Sequence, residues 1–227
     1  RNSSSALPYF FDGFEREQTM TIDSPILLTP GPLTTSDRTR AALNRDWGSR
    51  DRDFIELNRG LRNRLLALVE APDDEYVCIP IQGSGTFAVE AAIGSLVAPE
   101  AKLLIVVNGA YGRRMVKICN YARRSYEVYE TPEDVPPDAA AIAEILAGDK
   151  DISHVAVVHC ETTSGILNPL EAIATVVAEA GCHLLVDAMS SFGIIPFSAK
   201  TTPIAALVAS ANKGLEGVPG LAFVICK

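Results

Sequence analysis

A chain of 227 residues that is 48% hydrophobic and 21% charged can bury a large core, as one large domain or two small ones. A formal net charge of −8 lacks the basic surface that a phosphate backbone demands, so a nucleic-acid partner is not expected. No apolar run reaches the ~18 residues of a membrane span, and five scattered cysteines without a CxxC pair argue for a reducing compartment, with the cytoplasm as the expected location.

Residues 1–24 read as an extension, with a polar start and an aromatic cluster of Tyr9, Phe10, Phe11 and Phe14. Thr29-Pro30-Gly31-Pro32 is a rigid turn, because its prolines fix the backbone and remove amide donors. Ser36 or Asp37 can cap a helix running to about residue 44. A polar loop around Trp47 follows, with Arg50 and Arg52 as possible anion contacts. Phe54, Leu57, Leu61, Leu65 and Leu68 recur every three or four residues and predict an amphipathic helix over 53–70, stopped by Pro72-Asp73-Asp74. From there strands and helices alternate. Strands are predicted at 76–81, 103–107, 126–129, 154–159 and 183–186, with helices at 87–97, 111–123, 138–146 and 170–179, the last ended by Gly181. Two further apolar runs, 204–209 and 221–226, are candidate buried strands. This rhythm predicts an α/β fold, a largely parallel sheet with helices on both faces.

Ligands in such folds sit at the carboxyl ends of the strands, so residues just after each strand carry the information. Ser84-Gly85-Thr86 opens a helix and offers backbone amides and hydroxyls to a phosphate, although a plain tight turn would look the same. Tyr111 can stack on a flat ring or pack as a core aromatic. Thr162, in a run of hydroxyls, can bond a polar ring substituent or shape a turn. His159 ends an apolar run and reads as a core histidine. Asp187 ends another; it is costly to bury unless paired, and either a protonated ring nitrogen or a helix amide would serve. Lys213 lies in a glycine-rich turn between the last two apolar runs, where small neighbours leave an amine room to form a Schiff base. A phosphate cradle, a ring face, an acid, hydroxyls and an amine are together the handles of pyridoxal 5′-phosphate (PLP). No metal-ligand spacing and no GxGxxG fingerprint stands out.

Leu28-Thr29-Pro30-Gly31-Pro32, Gln82-Gly83-Ser84-Gly85-Thr86, Asn108-Gly109-Ala110-Tyr111-Gly112, His159-Cys160-Glu161-Thr162-Thr163, Asp187-Ala188-Met189-Ser190-Ser191-Phe192-Gly193 and Ser210-Ala211-Asn212-Lys213, in this order, resemble the class V, fold-type I aminotransferases. The resemblance implies a PLP-binding large domain over 25–227, with a mostly parallel mixed sheet, and places the family's small C-terminal domain outside this chain. It implies that Lys213 holds PLP covalently and moves a proton during transfer, and that Asp187 keeps the ring nitrogen protonated. Ser84, Gly85 and Thr86 would bind the phosphate, with Asn212 nearby; Tyr111 would lie against the ring and Thr162 would touch its oxygen. The implied reaction takes an amino group from 2-aminoethylphosphonate to pyruvate, giving phosphonoacetaldehyde and L-alanine, in a homodimer. Gly214 departs from the family's commoner residue after the lysine. Alternatives are a transaminase acting on alanine or serine with glyoxylate, or a catalytically inactive fragment of the fold.

Overall fold

The computed structural model describes residues 25–227; the predicted extension over 1–24 lies outside the described residues. The described residues open with a short helix α1 (Asp37–Ala41), capped by the Ser36 hydroxyl, and a single 3-10 turn, Ala42–Asn44. The amphipathic helix α2 (Arg52–Leu68) follows. It ends earlier than the prolyl stop predicts, because Glu70 adopts a left-handed φ of 49° and the Ala71 amide turns back to the Leu66 carbonyl.

Strands and helices then alternate: β1 (Val77–Gln82), α3 (Gly85–Leu96), β2 (Lys102–Val107), α4 (Ala110–Tyr121), β3 (Ser125–Glu130), α5 (Ala139–Gly148) and β4 (Ile152–Val158). A two-stranded ribbon, β5 (Cys160–Glu161) with β6 (Ile166–Leu167), precedes α6 (Leu170–Glu179). The chain closes with β7 (His183–Asp187), β8 (Ala206–Ser210) and β9 (Leu221–Cys226). Seven strands form one sheet in the order β1-β9-β8-β7-β4-β2-β3. The β3, β2, β4, β7 and β8 pairings are parallel, while β9 runs antiparallel to both of its neighbours. The sheet is therefore mixed, and its single reversed strand is inserted between β1 and β8.

Two apolar layers cover the two faces, and strand periodicity assigns each residue to one of them. Leu103, Ile105 and Val107 of β2 face α3 and α4, which supply Ala88, Ile93, Met115 and Cys119. Leu104 and Val106 face the opposite way, onto Leu65 and Leu66 of α2, Ile142 of α5 and Ile173 of α6. Full coverage on both sides explains why the central strands read as uninterrupted apolar runs. It also leaves the carboxyl edge of the parallel strands as the place where polar side chains can collect.

Candidate active site

One cleft at that edge is lined by Ser84, Gly85, Thr86, Tyr111, Arg114, Asp187, Asn212 and Lys213, above an apolar floor that includes Val89, Met115 and Ile118. Seven of the eight residues singled out from the sequence thus share one space. Thr162 is not among the lining residues; its hydroxyl bonds the Ser190 hydroxyl beside Met189. Arg50 and Arg52 are exposed and outside the lining. His159 is buried edge-on to Phe197, with ring centroids 6.4 Å apart, and burial pushes its pKa down.

Helix α3 begins two residues before the position predicted from the apolar pattern. Ser84 has extended backbone angles and its hydroxyl accepts from the Phe87 amide at 3.2 Å, which makes it the N-cap. Gly85 and Thr86 therefore occupy the first helical turn. Amides there have no carbonyl partner within the helix, and the helix dipole adds partial positive charge, so this end of α3 suits an anion.

Asp187 closes β7 and is only 6% exposed. Its carboxylate accepts from the Met189 amide at 3.0 Å. Neither Asp187 nor Lys213 belongs to an ion pair among the described residues. Burial pushes the Asp187 carboxyl up to about 6; the Met189 amide opposes this, the Glu161 charge adds to it, and Arg114 and Lys213 oppose it weakly. A buried acid with one hydrogen bond and no paired cation fits a cationic ring nitrogen as its partner. The donor set of the cleft thus suits PLP: amides for phosphate, a buried acid for the ring nitrogen, and an amine for the aldehyde.

Lys213 follows β8 in a loop closed by the Glu216 amide on the Lys213 carbonyl and the Gly217 amide on the Ala211 carbonyl. Gly214 is there for packing. A methyl group on it would come within 2.8 Å of the Phe192 carbonyl and 2.7 Å of Ile194 Cδ1. The departure after the lysine thus matches the close approach of the 192–194 turn.

Two functional neighbours were not evident in the sequence. Arg114 donates to the Thr86 hydroxyl at 3.1 Å and lies over the Tyr111 ring, 4.6 Å from its centroid. It brings positive charge to the N-terminal end of α3. Glu161 is 0% exposed and accepts from the Tyr111 amide (3.2 Å), the Gly112 amide (3.4 Å) and the Thr163 hydroxyl (2.8 Å). It thereby ties the Thr162 turn to the first turn of α4, satisfying amides that the helix leaves open. Glu161→Ala is expected to destabilise the protein by roughly 2–4 kcal/mol, since buried and part-buried donors lose a buried carboxylate acceptor. Glu161→Gln should recover part of that, and urea unfolding of both variants is the check.

The chain belongs to the class V aminotransferase family, whose sequence model matches residues 34–227. Among curated relatives it is similar to the 2-aminoethylphosphonate–pyruvate transaminase of Pseudomonas aeruginosa, 56% identical over 204 residues that make up 90% of this chain and 55% of the relative. The enzyme of the same name from Pseudomonas fluorescens is 55% identical over 205 residues, again 90% of this chain and 55% of the relative. The chain spans about half the length of the curated relatives it matches. Among solved structures it is similar to an alanine–glyoxylate aminotransferase from Nostoc, with a TM-score of 0.84 at 26% identity over 94% of this chain and 57% of the other. A pyridoxamine–pyruvate aminotransferase from Mesorhizobium loti gives a TM-score of 0.80 at 28% identity over 88% of this chain and 50% of the other.

Proposed function

We propose that this chain is the PLP-binding large domain, residues 25–227, of a transaminase that moves an amino group from 2-aminoethylphosphonate to pyruvate. Phosphonoacetaldehyde and L-alanine would be the products, as in phosphonate breakdown. The observation that carries the reading is the meeting of Lys213 and Asp187, from the ends of adjacent strands β8 and β7, in one cleft beside the N-terminus of α3. The choice of substrates rests on the names of relatives that share more than half of their aligned residues with it.

Bound PLP would supply an aldehyde for amine exchange and a ring that takes up electron density during transfer. The protein's part would be divided as follows. The Gly85 and Thr86 amides, the Ser84 and Thr86 hydroxyls and Asn212 hold the phosphate, with Arg114 offsetting its charge. Asp187 holds a proton on the ring nitrogen and is itself relieved of an unpaired buried charge. Tyr111 flanks the ring, and Thr162 would offer its hydroxyl to the ring oxygen. The Lys213 amine provides covalent attachment and, once displaced by substrate, carries a proton at Nζ. Two copies of the chain would form a homodimer in the cytoplasm; no described helix is long and apolar enough to cross a membrane.

The test is alanine formation from 2-aminoethylphosphonate and pyruvate, set against alanine–glyoxylate and serine–glyoxylate pairs. Alanine from the phosphonate donor above all others supports the reading. A preference for glyoxylate would move it to another class V transaminase. Failure to bind PLP would mark the chain as a non-catalytic form of the fold.

A further inference from the structure

The Thr29–Pro32 turn reaches across to the cleft. An added side-chain carbon on Gly31 would collide with Lys213 Cδ, lie 2.9 Å from Lys213 Cε, and come within 3.1 Å of the Asn212 carbonyl. The Lys213 stem therefore occupies the space that any other residue at position 31 would fill. The backbone at Gly31, with φ of 154°, is also one that L side chains rarely adopt. From this contact we propose that Gly31 is a positioning residue for Lys213: the proline-flanked turn forms a wall that holds the lysine stem and sets where its amine points.

The physics separates this role from a purely structural one. Most of what a methyl group at position 31 would meet is the far end of a flexible side chain. The fold can absorb the intrusion by letting Lys213 swing away, at little cost to packing. The reaction cannot absorb it, because that swing removes the amine from its place, and a misplacement of ~1 Å can cost about 100-fold in rate. Two prolines beside Gly31 restrict how the turn can relieve the strain at position 31, so the lysine stem takes up the steric clash. The turn is thus a component of the site, not a linker passing over the surface, even though Leu27 and Leu28 just before it are exposed.

The inference rests on the reading that Lys213 is the PLP-bearing amine, but it can be tested without substrate and, in one arm, without PLP. In the PLP-free protein, Gly31→Ala should raise the reaction rate of Lys213 with trinitrobenzenesulfonate toward that of the exposed Lys117 and Lys200 in the same sample, resolved by peptide mapping. With PLP at limiting concentration followed by borohydride, the fraction of Lys213 trapped should fall roughly 10–100-fold. Gly181→Ala is the control, because it adds a side chain at a positive φ of 72° where nothing lies within 4 Å. It should lower the unfolding midpoint through strain alone and leave both Lys213 readouts as in the unsubstituted protein. Unchanged Lys213 reactivity in Gly31→Ala, or an equal change in Gly181→Ala, overturns the proposal. Trapping of PLP at a different lysine in the unsubstituted protein would sink the cofactor reading instead, and the PLP-free arm would still decide the positioning role.

Discussion

Lys213→Ala is expected to abolish borohydride-trappable PLP and to slow the proposed transamination about 10,000-fold or more, because in that reading one side chain supplies both the covalent attachment and the proton transfer, and proton transfer alone contributes up to about 10,000-fold. The fold should hardly notice. Lys213 is half-buried in a loop and makes no ion pair among the described residues, so stability should stay within about 0.5 kcal/mol. A small free amine should restore part of the lost turnover by entering the space left behind. Lys213→Arg discriminates further: it keeps a cation near Asp187 but offers a guanidinium that does not attack an aldehyde, so it should be as inactive as alanine. Normal trapping in Lys213→Ala, or appreciable turnover in Lys213→Arg, would place the reactive amine elsewhere.

The strands and the points where they end could be read because the sheet is covered on both faces. Runs such as Leu103 to Val107 have no polar residue until the edge, so the first polar residues after them fall in the cleft. The same coverage hid the direction of β9: a fully buried run looks alike in either sense, and only its pairing shows it to be antiparallel. The start of α3 was displaced because the apolar pattern begins at Phe87, whereas the hydroxyl of Ser84 sets the cap. Glu161 reads as one more polar residue before three hydroxyls, and its partners on α4 lie about fifty positions away in the chain. An acid two positions past the predicted buried strand was the available signal. Arg114 was masked by its place among the polar residues of an amphipathic helix. The approach of Gly31 to Lys213 spans nearly the whole chain, and no local pattern encodes it.

Asp187→Asn is expected to stabilise the PLP-free protein while slowing the proposed transamination about 100-fold or more, since in that reading it deletes a preorganised charge facing the ring nitrogen. The sign follows from burial. The fold raises this carboxyl from the ordinary range to about 6, so it favours the protonated form. Stability from that preference is fully present below the unfolded-state pKa near 4, is lost as pH rises through about 6, and costs about 3 kcal/mol above that. Asparagine keeps an acceptor for the Met189 amide and never ionises, so it escapes the penalty. The two proteins should therefore show the same urea midpoint near pH 4, diverge between about pH 4 and 6, and differ by a constant amount at neutral pH, with the variant the more stable. Saturating PLP should reverse the order, because a cation beside Asp187 turns an unpaired charge into a paired one and ligand binding adds stability only to the form that binds well. If the variant proved less stable at neutral pH without PLP, the carboxylate would have to be paired within the fold, and its availability to a ring nitrogen would be lost as an argument.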